Sequence, residues 1–341
     1  MCGAFPLGLV PPEPGLSDPR GDPVAPPGRR RPRRRWASAG ERSERKVHVM
    51  ESPVVVGVDG SAESLAAAEW AAREAARRGA GLRLLHVRGR HPGHGGTDTA
   101  RSAGQRLAER VLERAAERVH AVRPEVPVDE VQAEGPAAAA LAQAAEDADP
   151  LVLGSRGLGR VAGLLAGSVS LGVVARATRP VVLVRTDAAG EETEAGGDGR
   201  RDVVLGVDVI EPCDEVIAYG FEAARRRRAR LRAVHAWRAP DRLTLGASGG
   251  GPAGDQERAE EWLRFLSAVL QVRREKYPDV EVLATVAEGK PADVLLKAAS
   301  GARLLVVGHR VPGRPALPRT GPVTHAVIQQ AGCPLAVVPH G

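Results

Sequence analysis

The residues best suited to ligand chemistry form a glycine-rich segment near the middle of the sequence. It reads GSRGLGRVAGLLAGS from Gly154 to Ser168 and contains five glycines between two short apolar runs, 151–153 and 181–184. Glycine lets backbone N–H groups approach an anion without a Cβ in the way, and it adopts the positive φ that a concave nest of amides requires. Gly154 and Gly157 are placed to make the first turn of such a nest.

The end of this segment adds a second anion-binding feature. Gly167 and Ser168 fall at the predicted start of a helix, where free N–H groups and the positive end of the helix dipole favour phosphate. The Ser168 hydroxyl supplies one more donor. Flexible loops in glycine-rich chains have similar spacing, so the residues alone leave two interpretations open, a phosphate-binding loop and a simple connector.

Strands and helices alternate on either side of the segment. Apolar runs predict strands at 53–59, 82–87, 126–132, 151–153 and 180–185. Helical spacing and capping residues predict helices at 62–78, at 99–122, from Pro136 and at 168–177. Such alternation indicates an α/β fold, a parallel sheet covered by helices on both faces. Ligands of these sheets bind beyond the carboxyl ends of the strands, and the glycine segment follows such an end.

The same pattern occurs twice. VVVGVD at 54–59 returns as VVLGVD, and LRLLHV returns as LRAVHA, both at an offset of 149 residues. LVLGSR at 151–156 returns as LVVGHR, and TRPVVLV returns as GCPLAVV, both at an offset of 154 residues. Constant offsets indicate a duplicated domain. We predict two tandem domains of five strands each, residues 51–186 and 202–341, joined by a polar linker at 187–201.

Charge and composition limit the function classes. The 341 residues carry a net charge of +6, but residues 1–50 hold ten Arg/Lys and five Asp/Glu and therefore account for +5 of it. The nearly neutral remainder argues against a nucleic-acid-binding face on the folded part. No apolar run approaches the roughly 18 to 20 residues that cross a membrane. The three cysteines lie far apart, as is typical of a reducing compartment, so we expect a soluble, cytoplasmic protein.

The first fifty residues are rich in proline and arginine and have few apolar side chains, which predicts a disordered tail. The run from Arg29 to Arg35 is either a solvated segment or a contact for nucleic acid or another anionic surface. Met50 stands immediately before the first strand. A third interpretation is that translation starts at Met50 and that the tail is not part of the native protein.

Three motifs carry a resemblance to a known family. The glycine segment fits G-x-x-G-x9-G-[ST], and together with GVDGS at 57–61 and LLHV at 84–87 it resembles the universal stress protein family from residue 50 onward, as two tandem domains. The resemblance implies a Rossmann-like fold of the adenine nucleotide alpha hydrolase type. It also implies a site for ATP, with or without Mg²⁺. The positions that match the family's nucleotide contacts are Asp59, Val87, Gly154, Arg156, Gly157, Gly167, Ser168 and Val169.

Several of these positions have a simpler interpretation as well. Asp59 either contacts the adenosine portion, as in the family, or caps the first helix and accepts from nearby loop N–H groups. Val87 acts through its backbone and by packing on the base. Arg156 is either a phosphate contact or a solvated loop charge. The histidines of HPGHGG, His91 and His94, lack further ligands and do not predict a metal site.

The second copy departs from the pattern. Its glycine segment keeps Gly308 and Gly321, but Val311 stands where the second glycine is expected and Pro322 replaces the serine. Proline lacks both a hydroxyl and an N–H, and valine resists a turn with positive φ. GVDGS has become GVDVI, with an apolar residue close to Asp208. We expect this domain to bind ATP weakly or not at all.

Three functions follow from these observations. The first is an ATP-binding regulator of a stress response, in which the fifth strands, 181–184 and 335–338, pair the two domains as an intramolecular pseudo-dimer that can dimerise further. The second is a slow ATP-hydrolysing or nucleotidyl-transferring enzyme, although no Ser/His/Asp or Cys/His set can be placed at the loop. The third is an interaction module without a nucleotide.

Overall fold

The structure is a computed structural model that describes residues 52–89, 98–155, 167–186, 202–238, 252–311 and 320–341. The strands are β1 (Val54–Gly57), β2 (Leu82–Arg88), β3 (Val128–Glu134), β4 (Leu151–Gly154), β5 (Val181–Val184), β6 (Val203–Gly206), β7 (Leu231–Trp237), β8 (Val282–Glu288), β9 (Leu304–Arg310) and β10 (Leu335–His340). The α-helices are α1 (Ala62–Arg78), α2 (Asp98–Val122), α3 (Ala137–Ala144), α4 (Ser168–Val174), α5 (Asp214–Arg227), α6 (Pro252–Lys276), α7 (Pro291–Ala298) and α8 (Pro322–Gln330).

The strands form one ten-stranded sheet in the order β3-β2-β1-β4-β5-β10-β9-β6-β7-β8. The first repeat contributes β1–β5 and the second repeat contributes β6–β10, and within each repeat neighbouring strands are parallel. At the junction β5 and β10 run antiparallel, with Val182 opposite Ala336. This pairing satisfies two strand edges that would otherwise be open.

Local sequence explains where the first helix begins and ends. The Ser61 hydroxyl caps α1 by accepting from the Ser64 amide at 3.2 Å. The helix ends at Gly79, whose φ of 62° is the left-handed conformation that glycine adopts without strain. Between these caps the helix buries small aliphatic residues and one indole, that of Trp70, which is fully buried. Alanine-rich faces of this kind let helices lie close to a sheet.

Helices cover both faces of the sheet, as the sequence predicts. Buried residues of α1, α2, α5 and α6 pack on one face with Val54, Val56 and Leu205. Buried residues of α3, α4, α7 and α8 pack on the other face with Val55 and Leu305. The predicted fold class, tandem α/β domains built on parallel sheet, is confirmed.

Several element boundaries differ from the sequence prediction: β1 ends at Gly57 and not at residue 59, β3 ends at Glu134 and not at residue 132, and two further differences have a visible cause. β3 begins at Val128 and not at Val126, because the Val126 amide donates to the Arg123 carbonyl in a turn and is not available to the sheet. α4 ends at Val174, three residues early, because the amides of residues 176 and 177 both donate to the Val173 carbonyl and tighten the last turn.

None of the described helices has the length and the apolar character needed to cross a membrane. Cys213 and Cys333 are free thiols. Residues 1–51 and 187–201 lie outside the described residues, so the predicted tail and linker remain predictions.

Candidate functional site

Two neighbouring strands bring part of the predicted site together. β1 and β4 pair in parallel, with Gly57 opposite Leu153, and the strands that follow each of them lie on opposite sides. A reversal of strand order opens a crevice at the carboxyl ends of the two central strands. Asp59 follows β1 and Gly154 ends β4, so both residues flank this crevice.

Asp59 is exposed and organises the turn between β1 and α1. Its Oδ1 accepts hydrogen bonds from the Ser61 amide at 3.0 Å and from the Ser61 hydroxyl at 2.6 Å. Burial by itself raises the pKa of Asp59, but the hydrogen bonds from Ser61 and Ser64 outweigh it, and the pKa lies below its ordinary value. The carboxylate therefore accepts from loop donors, which is the simpler of the two predicted interpretations, and it is anionic at neutral pH.

Glycine is required at residue 154 for a different reason than the sequence suggested. A Cβ there would lie 2.5 Å from the carbonyl carbon of Glu63 and 2.7 Å from the Ser64 amide nitrogen. Its φ is not among the positive values of the described glycines. The residue is therefore a point of close approach between β4 and the first turn of α1, and the expected positive φ is absent there.

The start of α4 is open. Gly167 is its N-cap residue with φ −56° and ψ 139°, and no side chain caps the helix there. A Cβ on Gly167 would meet nothing within 4 Å. Ser168 is exposed, and Val169 is 38% exposed. Within the part of the chain that the structure describes, the space beside these first amides is thus unfilled.

A hydroxyl that the sequence argument missed connects this helix to the sheet. Ser170 is buried, and its Oγ lies 3.4 Å from the Gly154 carbonyl oxygen, to which it donates. The second repeat has Thr324 in the same place, and its Oγ1 donates to the Gly308 carbonyl oxygen at 3.0 Å. Two hydroxyls at the repeat offset of 154 are the signal that could have identified this contact.

The remaining predicted positions divide into two groups. Val87 is half-buried near the end of β2 and packs against the sheet face that carries α3 and α4. Next to it, His86 Nδ1 lies 2.8 Å from the Val58 carbonyl oxygen, which can only accept, so Nδ1 carries the proton. Arg156 and Gly157 lie outside the described residues, and so do His91 and His94.

The corresponding mouth of the second repeat has different chemistry. The Val311 amide donates to the His340 carbonyl oxygen at 2.8 Å and thereby continues the sheet where the first repeat has Gly157. Arg310, the counterpart of Arg156, pairs with the carboxylate of Glu211. Pro322 occupies the first turn of α8. Where the second repeat departs from the glycine motif, the Val311 backbone thus continues the sheet, and the neighbouring Arg310 guanidinium is paired with a carboxylate.

The second repeat also contains a cavity of about 560 Å³ at the carboxyl ends of its strands. Its walls include Asp208, Trp237 and Trp262. The sequence does not reveal this cavity, because Trp262 comes from α6, far along the chain from the glycine motif.

The comparison with known proteins identifies the family. The universal stress protein family matches residues 50–185 and, a second time, residues 199–339. This chain belongs to the universal stress protein family. A universal stress protein of Mycolicibacterium smegmatis is 33% identical to it over 297 residues, which are 84% of this chain and 97% of the relative. Another, from Mycobacterium tuberculosis, is 32% identical over 293 residues, 83% of this chain and 96% of the relative.

One solved universal stress protein matches most of the chain. A crystal structure of a universal stress protein from Archaeoglobus fulgidus matches with a TM-score of 0.63 at 19% identity, and it covers 85% of this chain and 100% of its own. At this identity the likeness supports the fold and no more.

Proposed function

We propose that the first repeat of this universal stress protein binds an adenine nucleotide, with ATP as the ligand, and that the protein acts as a nucleotide-dependent regulator in the cytoplasm. The observation that carries the proposal is the open helix start beside the strand crossover. No atom of the described residues lies within 4 Å of a Cβ placed on Gly167, and no side chain among them caps the amides that follow it. A bound phosphate would satisfy such amides.

The other residues have roles that follow from their places. Gly154 lets the first turn of α1 approach the end of β4 at the side of the crevice where Asp59 lies. Asp59, ionised and fixed by Ser61, would accept from the ribose hydroxyls or carry Mg²⁺ with the phosphates. Val87 would pack on the base. Arg156, Gly157, Ser168 and Val169 are proposed as the remaining contacts with ribose and phosphates.

The second repeat is proposed not to bind triphosphate. Its Arg310 is already paired with Glu211, and Pro322 removes an amide from the start of α8. The antiparallel pairing of β5 with β10 supports a further proposal, that the two repeats act as an intramolecular pseudo-dimer in which one partner senses nucleotide. Association of two chains into a homodimer is an additional expectation.

A pair of matched substitutions tests the nucleotide site. Gly167→Asp adds a carboxylate to the open start of α4, and Gly321→Asp adds the same group to the equivalent open start of α8. We expect Gly167→Asp to weaken a fluorescent ATP analogue about 100-fold, because like charges that face each other cost several kcal/mol. Gly321→Asp should leave the affinity unchanged. Equal effects of the two variants, or none from Gly167→Asp combined with Ser168→Pro, would refute the proposed site.

A turnover assay separates regulation from catalysis. Wild type and Asp59→Ala are compared for ATP hydrolysis with Mg²⁺ present. Because Asp59 is the only predicted carboxylate at this mouth, hydrolysis well above background that is lost in the variant would favour an enzyme. Binding without turnover would favour a regulator. If no ATP is found in the purified protein and titration detects no ATP binding, the interaction module is the remaining function.

A further inference from the structure

Helix α6 of the second repeat carries apolar side chains on a face that is largely exposed. Phe265 is 50% exposed and Val272 is 73% exposed. They are seven residues apart, so they lie on the same face of the helix, two turns from each other. Ala268 lies between them and is exposed as well. We call Phe265, Ala268 and Val272 the α6 stripe.

The α6 stripe is separate from the face by which α6 packs on its own sheet. Leu266 and Leu270 form that inner face, and both are fully buried in the core. Single exposed apolar residues are common on protein surfaces and need no explanation. Apolar residues that recur at a spacing of three and four, in contrast, form the pattern by which one helix packs against another. The helix thus has a second packing face that the described residues do not fill.

The first repeat has no such face on the equivalent helix. Helices α2 and α6 are both 25 residues long and are related by the repeat offset of 154. The α6 stripe corresponds to Val111, Arg114 and Arg118 on α2, and Arg118 pairs there with Glu69. Because the same fold is built with two arginines at these positions, the apolar residues of α6 are not needed to form the domain.

The charges at the two ends of the α6 stripe have opposite signs. Glu261 precedes Phe265 by four residues and Lys276 follows Val272 by four, and both charged residues are exposed. Lys276 lies 5.5 Å from the centroid of the Tyr277 ring, and neither it nor Glu261 forms an ion pair within the described part of the chain. The N-terminal tail, with its net charge of +5, would suit only the acidic end. A helix with the same two charges in the opposite direction suits both ends.

An antiparallel copy of α6 has these properties. With a two-fold axis next to Ala268, Phe265 meets the partner's Val272 and Glu261 meets the partner's Lys276, and each contact occurs twice. Alanine at the axis lets the two helix axes approach to about 8–10 Å. Arg273, on the flank of α6, adds no repulsion, because its guanidinium is bound by the carboxylate of Asp214.

From these observations we infer that two copies of this chain associate through the α6 stripe, as an antiparallel pair of α6 helices. The inference assigns an interface to the homodimer that is expected under the proposed function, and it does not depend on nucleotide binding by the first repeat. The pairing leaves the junction of β5 and β10 intact, because α6 packs on β8, the edge strand of the second repeat.

Sedimentation velocity of the full chain at about 2 to 200 µM measures the association. A contact between two single helices falls at the small end of specific interfaces, so we expect a reversible dimer with a dissociation constant of about 10 µM. Val272→Glu places a carboxylate against the partner's Phe265 and should weaken the dimer at least about tenfold. Leu107→Glu is the matched control, because Leu107 is a 62% exposed residue of α2 outside the stripe, and it should leave the dissociation constant unchanged.

Charge reversal tests the antiparallel direction. Glu261→Lys and Lys276→Glu each place like charges opposite one another, twice in the dimer, and each should weaken it about threefold to tenfold. The double variant Glu261→Lys/Lys276→Glu brings opposite charges together again and should restore the wild-type dissociation constant. Because all the replaced residues are exposed, we expect every variant to fold, and far-UV circular dichroism checks this.

The outcomes separate this inference from the other proposals. A full chain that is monomeric at about 200 µM overturns it and leaves the α6 stripe to a different partner. A dimer that Val272→Glu does not weaken, or a double variant that associates no more tightly than the single ones, overturns this interface but not the expected homodimer. Gly167→Asp should leave the dissociation constant of the dimer unchanged, so a failure of the nucleotide site does not affect the result.

Discussion

Replacing Glu74 by glutamine should destabilise the protein strongly, because this carboxylate connects the two repeats in the interior. Glu74 lies on α1 and is fully buried. Its Oε1 accepts from Arg78 Nε at 2.6 Å, and its Oε2 accepts from Arg227 Nη2 of α5 at 2.7 Å. Arg227 is also buried and lies over the Trp70 ring, 5.4 Å from its centroid. Glu74→Gln keeps the shape of the side chain but removes the carboxylate that pairs with buried Arg227, while Arg78 keeps its ion pair with Asp149 at 3.1 Å.

The pKa of Glu74 gives the magnitude. Burial alone raises this pKa, but Arg227 and Arg78 outweigh burial and lower it from 4.5 to about 2. At about 1.4 kcal/mol per pKa unit, a difference of about 2.5 units is worth about 3 kcal/mol at neutral pH. Breaking a buried ion pair by removing one partner costs about 3–5 kcal/mol, which agrees with this value. We expect Glu74→Gln to lower the free energy of unfolding by about 3 kcal/mol.

The pH dependence has a definite sign. Because the folded-state pKa lies below the unfolded value, the stabilisation is complete above about pH 4.5 and is lost as the pH falls towards about 2. The difference in unfolding free energy between wild type and Glu74→Gln should therefore be constant from pH 7 to pH 5 and shrink below that. Urea denaturation followed by far-UV circular dichroism measures it without adding salt.

Glu69→Gln is the matched control on the same helix. Glu69 pairs with Arg118, whose side chain is 57% exposed, and an ion pair of this kind contributes only about 0–1 kcal/mol. The double variant Glu74→Gln/Arg227→Gln should be less destabilised than the sum of the two single variants, because it removes both charges of the pair. A cost of Glu74→Gln below about 1 kcal/mol at pH 7, or no larger than that of Glu69→Gln, would contradict a stabilising role of the buried ion pair.

Three further predictions concern packing and reactivity. Gly154→Ala should lower the free energy of unfolding by about 1–3 kcal/mol, because the new Cβ would lie 2.5 Å from the Glu63 carbonyl carbon. Gly167→Ala has open space for its Cβ and should change the free energy of unfolding by no more than about 0.5 kcal/mol. Equal urea midpoints for the two variants would contradict this expectation. Val182→Asp places a charge in the fully buried junction of β5 and β10 and should prevent stable folding, and a wild-type urea midpoint would argue against the junction. Burial raises the pKa of the Cys333 thiol to about 11, so iodoacetamide at pH 8 should label it far more slowly in the folded protein than in urea, as measured by mass spectrometry. Equal labelling rates in the two states would show that this thiol is accessible.

The buried cluster also shows how a duplicated sequence becomes asymmetric. Arg78 and Arg227 are equivalent positions at the repeat offset of 149, but the equivalent of Glu74 is Ala223. One carboxylate therefore serves two equivalent arginines from the two repeats. If two second repeats paired in the same way, two copies of Arg227 would meet, and neither repeat would supply a carboxylate because Ala223 replaces Glu74. The cluster thus favours association of unlike repeats, which fits a tandem chain.

Much of the fold could be predicted from the sequence because its signals are local. α1 has its cap at Ser61 and its stop at Gly79, and the structure begins and ends the helix there. The boundary of β3 was wrong because a turn hydrogen bond competes there with the sheet. The Val126 amide closes a turn on Arg123 and so shortens β3. Periodicity contains no information about that choice.

The candidate site was predicted only in part for the same reason. The sequence placed Asp59 and Gly154 at strand ends, and the crossover of β1 and β4 brings these ends to one crevice. It did not show that Gly154 is needed for the approach of α1, since that contact depends on a helix whose position the glycine spacing does not describe.

By itself the sequence determined the repeat, the α/β class and the departure of the second copy from the glycine motif, because offsets, periodicity and residue types are properties of the chain alone. Only the tertiary structure decided that Glu74 meets Arg227 and that Trp262 meets His235. Ion pairs and cavities arise where packed elements face each other in space. Residues 153 positions apart, such as Glu74 and Arg227, carry no mark in the sequence of the contact that they make.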